Sequence, residues 1–226
     1  MRELIKRTPV LNSAAKYLYF NLIEPLRQFE GSDAYWRKRY ASGRNSGDGS
    51  YDELAAFKAE ILNNFVEEHA ITSVVELGCG DGNQLSLARY PSYTGVDISE
   101  TAIALCRKAF ADDPSKTFRL LDGDTVRAEL ALSLDVIYHL VEDAVFEDHM
   151  QRLFAGATRY VIIYSSNTDQ QAAVQGAHVR HRAFSDWVER NIDGWGYLAH
   201  IPNRYPYTGD DRTGSFADFF IYQRTA

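Results

Sequence analysis

The chain has 226 residues, 45% of them hydrophobic, a length and composition that suit one globular domain with additions. Its formal net charge of −7 at pH 7 argues against a general nucleic-acid-binding protein, which would present a dominant basic face. Cys79 and Cys106 are expected to be small buried residues rather than a disulfide or a metal site, which fits a reducing cytoplasm.

The N-terminal region, residues 1–30, mixes basic and apolar residues, and the pattern predicts a helix from about Ser13. We expect no signal peptide and no membrane-spanning segment here, because no apolar stretch is long enough. The helix is expected to pack on its own domain or on a second copy, as in a homodimer. The alternative is a peripheral contact with a membrane or with a partner helix.

An aromatic and basic segment, Tyr35 to Tyr40, precedes a loop rich in glycine and serine that ends near residue 50. Such a loop is mobile unless other residues order it. Ser50 and Glu53 form a predicted capping box for a helix that continues to about His69. Within this helix Lys58 could be a site residue, but a solvated position is favoured.

A glycine-rich turn follows the apolar run from Ile71 to Val75, which predicts a buried parallel strand that leads into Glu76. Three glycines stand at every second position, namely Gly78, Gly80 and Gly82. Glycine allows a sharp turn and a close approach of a ligand to the main chain. A helix is expected over residues 81–89, and its free N–H groups could receive polar ligand atoms. Strand, turn and helix predict the first crossover of a doubly wound α/β sheet, where ligands bind at the carboxyl ends of the strands.

A second strand, Tyr93 to Ile98, places the carboxylate of Asp97 near its end. An acid at this position can accept hydrogen bonds from both ribose hydroxyls of a nucleoside. The alternative for Asp97 alone is a helix N-cap. Combined with the glycine turn, Asp97 predicts a nucleoside-binding site.

The two motifs together, Glu-x-Gly-x-Gly-x-Gly from Glu76 and Gly-Val-Asp-Ile-Ser from Gly95, resemble the S-adenosylmethionine site of the class I methyltransferases. The resemblance covers about residues 50–165. It implies an α/β fold with a doubly wound, Rossmann-like, seven-stranded sheet and a helical N-terminal extension. Residues 1–50 would form the N-terminal helix and lid segment, and residues 51–226 the S-adenosylmethionine-binding domain. A nicotinamide oxidoreductase is less favoured, because its usual motif is Gly-x-Gly-x-x-Gly.

The resemblance also assigns cofactor contacts outside the glycine turn. In class I methyltransferases the acid just past the third strand, here residues 117–121, often meets the adenine amino group. Asp124 matches that position and Thr125 offers its backbone, with Asp122 or a simple Asx-turn as alternatives. Related enzymes cover the cofactor with an aromatic-basic segment, so Tyr40 and Arg44 are candidate lid residues, with a solvated linker as the alternative. The expected cofactor-binding residues are Glu76, Gly78, Cys79, Gly80, Asp97, Ile98, Asp124, Thr125 and Tyr40.

The later strands complete the predicted sheet. The fourth strand is expected from Leu134 to Leu140 and would carry Tyr138 and His139 toward the reacting methyl group. The fifth is expected over residues 159–164, and the last two over residues 194–201 and 216–223. In the family that the chain resembles, these last two pair antiparallel, with the last strand inserted between the fifth and the sixth.

A basic cluster beyond the fifth strand contains His178, Arg180, His181 and Arg182. It is expected to form the acceptor pocket, because arginines can fork onto a phosphate or carboxylate. A basic surface turn is the alternative. Substrate contacts are therefore expected from Arg180, His181 and Tyr138.

Methyl transfer to a hydroxyl needs a base near neutral pKa, for which His139 and His178 are the candidates and His181 the third. No metal is predicted. A Lys-Arg-x-Pro opening resembles methyltransferases that accompany glycosyltransferases, so the expected acceptor is a small molecule or a glycan. The alternatives are N-methylation of a small molecule and a non-catalytic cofactor-binding subunit that activates a partner.

Overall fold

The computed structural model describes residues 29–172 and 175–225, so the helix predicted from Ser13 lies outside the described residues. The described helices are α1 Ser32–Ala41, α2 Asp52–Glu68, α3 Glu100–Ala109, α4 Asp143–Gly156 and α5 Phe184–Asn191. The strands are β1 Val74–Leu77, β2 Tyr93–Asp97, β3 Lys116–Leu120, β4 Ala128–Leu134, β5 Ala157–Ser165, β6 Trp195–Ile201 and β7 Asp218–Arg224. Short 3-10 turns lie at Asp48–Ser50, Gln84–Leu87 and Ile137–His139.

The strands form one seven-stranded sheet in the order β3-β2-β1-β4-β5-β7-β6. The first five are parallel, and β7 runs antiparallel between β5 and β6. The expected fold class and the insertion of the last strand are therefore confirmed. The order reverses between β1 and β4, which is where open α/β sheets bind ligands.

Two apolar clusters cover the two faces of the sheet. Successive strand residues point to opposite faces, so Val74 belongs to one cluster and Val75 to the other. The first cluster includes Phe57 and Leu62 of α2, and the second includes Met150 of α4. The sheet is thus buried between helical layers. A ligand-binding site is therefore expected at the carboxyl ends of the strands, which these layers do not cover.

The expected bounds of the fourth strand, Leu134 to Leu140, are wrong. β4 is Ala128–Leu134, and the apolar residues after it form the turn Ile137–His139 instead of continuing the strand. The strand ends because Asp135 takes a left-handed conformation with φ 59°. A non-glycine residue in that region is uncommon, and it points to tertiary constraints that the local pattern does not reveal.

The helix expected over residues 81–89 is also wrong, since only the turn Gln84–Leu87 forms there. Local side-chain bonds compete with the helix, as Asn83 N–H donates to the Asp81 carboxylate and Ser86 Oγ donates to the Asn83 carbonyl. The capping box fails as well. Tyr51 is the N-cap of α2, with no side-chain capping bond.

Candidate active site

A cavity of about 330 Å³ lies at the carboxyl ends of β1, β2 and β4. Its volume is in the range of small-molecule and cofactor sites. The glycine turn, Asp97 and Ile98 form one side, while Trp36 and Tyr40 of α1 cover it. Lys58, Asp135 and His139 line the end near β4.

The glycine turn has positive φ angles of 89° at Gly78 and 59° at Gly80. A Cβ at Gly78 would lie 2.5 Å from Cγ2 of Val136, so any side chain there would collide with Val136. The N–H groups of Gly78 and Cys79 both donate to the carbonyl of Val96, at 2.7 and 3.1 Å. The helix whose free N–H groups were expected to meet a ligand does not form, and the N–H groups of Asp81 and Asn83 donate to Ser46 Oγ and to the Asp81 carboxylate.

Asp97 is buried at the end of β2, and its two oxygens are fixed by the backbone. Gly80 N–H donates to Oδ2 at 3.0 Å, and Ser99 N–H donates to Oδ1 at 2.8 Å. Burial raises the pKa of this carboxyl, while the two N–H donors lower it. Each oxygen keeps lone-pair capacity for a ligand hydroxyl, because a carboxylate accepts about four hydrogen bonds.

Glu76 lies beneath the turn and also lines the cavity. The Tyr93 hydroxyl donates to its Oε2 at 2.6 Å. Burial raises the pKa of Glu76 to about 7, so the carboxyl is partly protonated at neutral pH. Such a group can donate as well as accept a hydrogen bond.

The residues expected to meet the adenine group do not line the cavity. Asp124 and Thr125 are exposed and do not line it, and the carboxylate of Asp124 lies 3.8 Å from Arg119. The lining there comes from Leu121 and from Asp148, His149 and Arg152 of α4. Their position depends on how α4 packs over β4, which residue spacing does not show.

A polar network closes the cavity at the β4 end. Lys58 Nζ lies 2.5 Å from Oδ2 of Asp135, and the Tyr138 hydroxyl donates to Oδ1 at 2.8 Å. The Lys58 side chain is only 1% exposed, so the expected solvated position is wrong. Its place on the apolar face of α2 was the only sequence signal. Tyr138 is buried behind Asp135 and does not line the cavity.

The segment before α2 is held over the glycine turn. The carboxylate Oδ2 of Asp81 accepts hydrogen bonds from Ser46 N–H and from the Tyr51 hydroxyl, both at 2.8 Å. Ser46 Oγ lies 3.0 Å from the hydroxyl of Tyr40, which is buried at the cavity. These bonds order the segment. A lid role for Tyr40 and Arg44 stays a prediction.

His139 is the candidate base that lines the cavity. Its Nδ1 lies 3.0 Å from the carbonyl oxygen of His178. Because a carbonyl oxygen only accepts hydrogen bonds, Nδ1 carries the proton and the neutral ring keeps its lone pair on Nε2. Burial lowers the pKa of His139 to about 4. His178 does not line the cavity, but stacks on His139 and on Tyr35, with ring centroids 5.4 and 4.3 Å apart.

The basic cluster holds the turn that carries His139. Arg180 N–H donates to the Tyr138 carbonyl at 2.8 Å, and the Arg182 guanidinium donates to the carbonyls of Leu140 and Val141. Arg180 and Arg182 both pair with Asp143, at 2.9 and 3.0 Å. His181 is buried, with Nδ1 2.7 Å from Ser166 Oγ. The structure therefore does not bring Arg180 and His181 to the cavity, where an acceptor-binding role would place them.

Residues 74–161 match the family model described as a methyltransferase domain. The chain contains a methyltransferase domain. The match confirms the expected enzyme class, and S-adenosylmethionine is the cofactor that this domain and its fold imply. A comparison with curated protein sequences finds no match.

Solved structures similar to this methyltransferase include the methyltransferase domain of bacterial CtHen1, with a TM-score of 0.55, 19% identity, and coverage of 74% of this chain and 97% of that one. Magnesium protoporphyrin IX methyltransferase ChlM from Synechocystis PCC 6803, solved with bound SAM, has a TM-score of 0.58 and 14% identity, with coverage of 94% of this chain and 96% of that one. The N-methyltransferase NodS from Bradyrhizobium japonicum WM9 has a TM-score of 0.59 and 12% identity, with coverage of 77% of this chain and 99% of that one. At these identities the likeness establishes the fold and not the acceptor.

The residues around the cavity fit S-adenosylmethionine. Asp97 suits the ribose, and Gly78 and Gly80 line the cavity with backbone that no side chain of their own covers. Gln84 lines the cavity with a buried Oε1 that has no hydrogen-bond partner among the described residues. A buried amide oxygen without a partner is costly, and an ammonium group such as that of the methionine part would satisfy it.

None of the helices in residues 29–172 and 175–225 is long and apolar enough to cross a membrane. The same residues contain no group of three or more histidine, cysteine, aspartate or glutamate side chains that could hold a metal ion.

The methyltransferase should lose stability as the pH falls from about 6.5 to 4. Burial lowers the pKa of His139 and His149 to about 4 and that of His178 to about 3. These rings stay neutral in the folded state while the unfolded chain takes up protons, and each proton changes the free energy of unfolding by about 1.4 kcal/mol per pH unit. Burial also raises the pKa of Glu76, to about 7, and that of Asp97, and these two carboxyls act in the opposite sense. Burial lowers the pKa of His181, which adds to the effect of the three rings.

Urea unfolding between pH 4.5 and 7.5 measures this effect. The His149→Met variant should show a shallower pH dependence, because it removes one of the three rings. A free energy of unfolding that stays constant over this range would contradict the neutral buried histidines.

Proposed function

We propose that this methyltransferase transfers the methyl group of S-adenosylmethionine to a hydroxyl of a small molecule or glycan, with His139 as the general base. The observation that carries the proposal is the hydrogen bond between His139 Nδ1 and the His178 carbonyl, which leaves Nε2 as the proton acceptor at the cavity. The sulfonium supplies an activated methyl group. The chain must then hold an acceptor oxygen in line behind it, at about 3 Å.

Burial favours the neutral, proton-accepting form of His139 at all pH values above about 4. A base with so low a pKa is weak, and proton transfer to it is most effective from an acidic hydroxyl. The turnover rate should therefore stay level from pH 8 to about 5 and fall as the pH approaches 4. A fall centred near pH 6.5 would contradict the buried environment of this ring.

The 178–182 segment supports the proposal by fixing the position of the base. It contacts every residue from Tyr138 to Val141 through a carbonyl, a backbone N–H or an arginine side chain. Arg182, which is 8% exposed, donates to the Leu140 carbonyl directly after the base. We therefore assign Arg180 and Arg182 a positioning role and replace the acceptor pocket expected from the sequence.

The experiment is a screen of hydroxyl acceptors, including sugars and sugar phosphates, by release of S-adenosylhomocysteine. With an acceptor in hand, His139→Asn should lower kcat by about 10²- to 10⁴-fold, the usual size of a general-base effect. Its affinity for S-adenosylhomocysteine should not change. His200→Asn is the matched control, because His200 is exposed on β6 and does not line the cavity.

An unchanged kcat in His139→Asn would reject the base. No turnover with any acceptor, together with a partner enzyme whose activity depends on this chain, would favour the non-catalytic subunit. Amine acceptors belong in the same screen, since preferential release with them would favour N-methylation. The glycan acceptor and the cytoplasmic location rest on the sequence alone and stay predictions.

A further inference from the structure

A groove between α5 and the strands β6 and β7 forms another concave site of this protein. Its volume is about 510 Å³, within the range of small-molecule sites. Among the described residues, none lines both this groove and the cofactor cavity. The groove is therefore a separate place for a ligand, at the end of the sheet where β6 is the edge strand.

Four aromatic rings of β6 and β7 line the groove, namely Trp195, Tyr197, Phe220 and Tyr222. Phe220 and Tyr222 are buried, whereas Tyr197 is exposed and meets the ring of Tyr222 edge-on at 5.7 Å. The guanidinium carbon of Arg224 lies 5.5 Å from the centroid of Trp195, so one of these rings already attracts a cation. Aromatic rings bind apolar groups and cations, and these four suit a ligand that carries both.

Two carboxylates of α5 line the same groove. Asp186 and Glu189 are three residues apart, so they are neighbours on one face of the helix. Both are exposed, and no lysine or arginine nitrogen in residues 29–172 and 175–225 lies within 4 Å of either carboxylate. Each carboxylate can therefore pair with a positively charged ligand, and together they disfavour an anion.

The Tyr222 hydroxyl is the second sign of a ligand in this groove. Tyr222 is only 3% exposed, and its hydroxyl has no hydrogen-bond partner among the described residues. The polar pair at the end of the groove differs, because Asn167 and Ser185 bond each other twice, at 2.7 and 3.1 Å. A buried hydroxyl without a partner is costly, and a hydrogen-bonding ligand would satisfy it.

We propose that this groove binds a small organic cation, an ammonium group on an apolar or aromatic body. The body lies against the aromatic rings, and the ammonium group donates hydrogen bonds to the Tyr222 hydroxyl and to the carboxylates of Asp186 and Glu189. A neutral apolar ligand would leave all three polar groups without a partner. The site is independent of the proposed methyl transfer, because its lining residues are not those of the cavity that His139 lines.

The test uses the full chain saturated with S-adenosylhomocysteine, so that the probes do not enter the cofactor cavity. The three probes share a phenyl ring and differ in charge, namely 2-phenylethylamine, 2-phenylethanol and 3-phenylpropionate. At pH 7 the amine is protonated, and calorimetry should show that it binds at least about tenfold tighter than the alcohol. The carboxylate probe should not bind.

Variants locate the amine in the groove. Asp186→Asn combined with Glu189→Gln should weaken the amine by about five- to tenfold and leave the alcohol unchanged. Tyr222→Phe should weaken the amine by about three- to tenfold without lowering Tm, because the hydroxyl has no protein partner to lose. Asp193→Asn is the matched control, since Asp193 is an exposed carboxylate just past α5 that does not line the groove.

Equal binding of the amine and the alcohol would overturn the inference. Equal amine affinities in the double variant and in Asp193→Asn would overturn it as well, because the amine would then bind elsewhere. A clearly lower Tm in Tyr222→Phe would show that the hydroxyl is already satisfied and would remove it from the site. None of these results bears on the proposed methyl transfer.

Discussion

Replacing Asp97 with alanine should weaken S-adenosylhomocysteine by about 2–4 kcal/mol, because it removes charge-assisted hydrogen bonds to both ribose hydroxyls. The carboxylate lies in the cavity with each oxygen already oriented by a backbone N–H, from Gly80 and Ser99. The ligand therefore meets a preorganised acceptor and orders little on binding. Calorimetry with S-adenosylhomocysteine measures the loss directly.

The same two bonds mean that Asp97 also holds the glycine turn. Asp97→Asn separates the two roles, since an amide keeps one oxygen for the backbone but loses the charge. It should bind S-adenosylhomocysteine with an affinity between those of the wild type and Asp97→Ala. The exposed Asp112 provides the control, and Asp112→Ala should change neither affinity nor Tm. Full affinity in Asp97→Ala would remove the proposed cofactor site.

The meeting of the glycine turn and Asp97 in one cavity was predictable because the motifs that place them are local in sequence. Gly78 and Gly80 adopt conformations that favour glycine, and Asp97 ends a strand that pairs directly with β1. Strand order in a doubly wound sheet then brings these residues together. Asp124 shows the limit of this reasoning, because its loop turns to solvent and α4 supplies the lining in its place.

The surroundings of the β4 end of the cavity could not be predicted, because tertiary contacts decide which side chains pair there. Arg180 and Arg182 suggest an anion site by composition, yet Asp143 and nearby carbonyls already bind them. Lys58 suggests a solvated helix position, yet it is buried against Asp135. A sequence gives the number of charges but not which charge neutralises which, and only unpaired ones are open to a ligand.

Lys58→Met should lower the free energy of unfolding by about 3–5 kcal/mol, because it leaves a largely buried carboxylate without its countercharge. The Asp135 side chain is 13% exposed and, among the residues that the structure describes, would keep only the Tyr138 hydroxyl as a side-chain hydrogen-bond partner. Asp135 also has a φ of 59°, a conformation that asparagine adopts readily. Adding Asp135→Asn should therefore recover part of the loss without a backbone penalty.

Urea unfolding of the two single variants and the double variant measures the coupling between Lys58 and Asp135. We expect about 1–3 kcal/mol of recovery in the double variant, as for other contacting residues in one network. Lys108→Met, at an exposed position near the end of α3, should stay within about 0.5 kcal/mol of the wild type. A double variant less stable than Lys58→Met would show that Asp135 is held by its backbone and by Tyr138 rather than by the lysine charge.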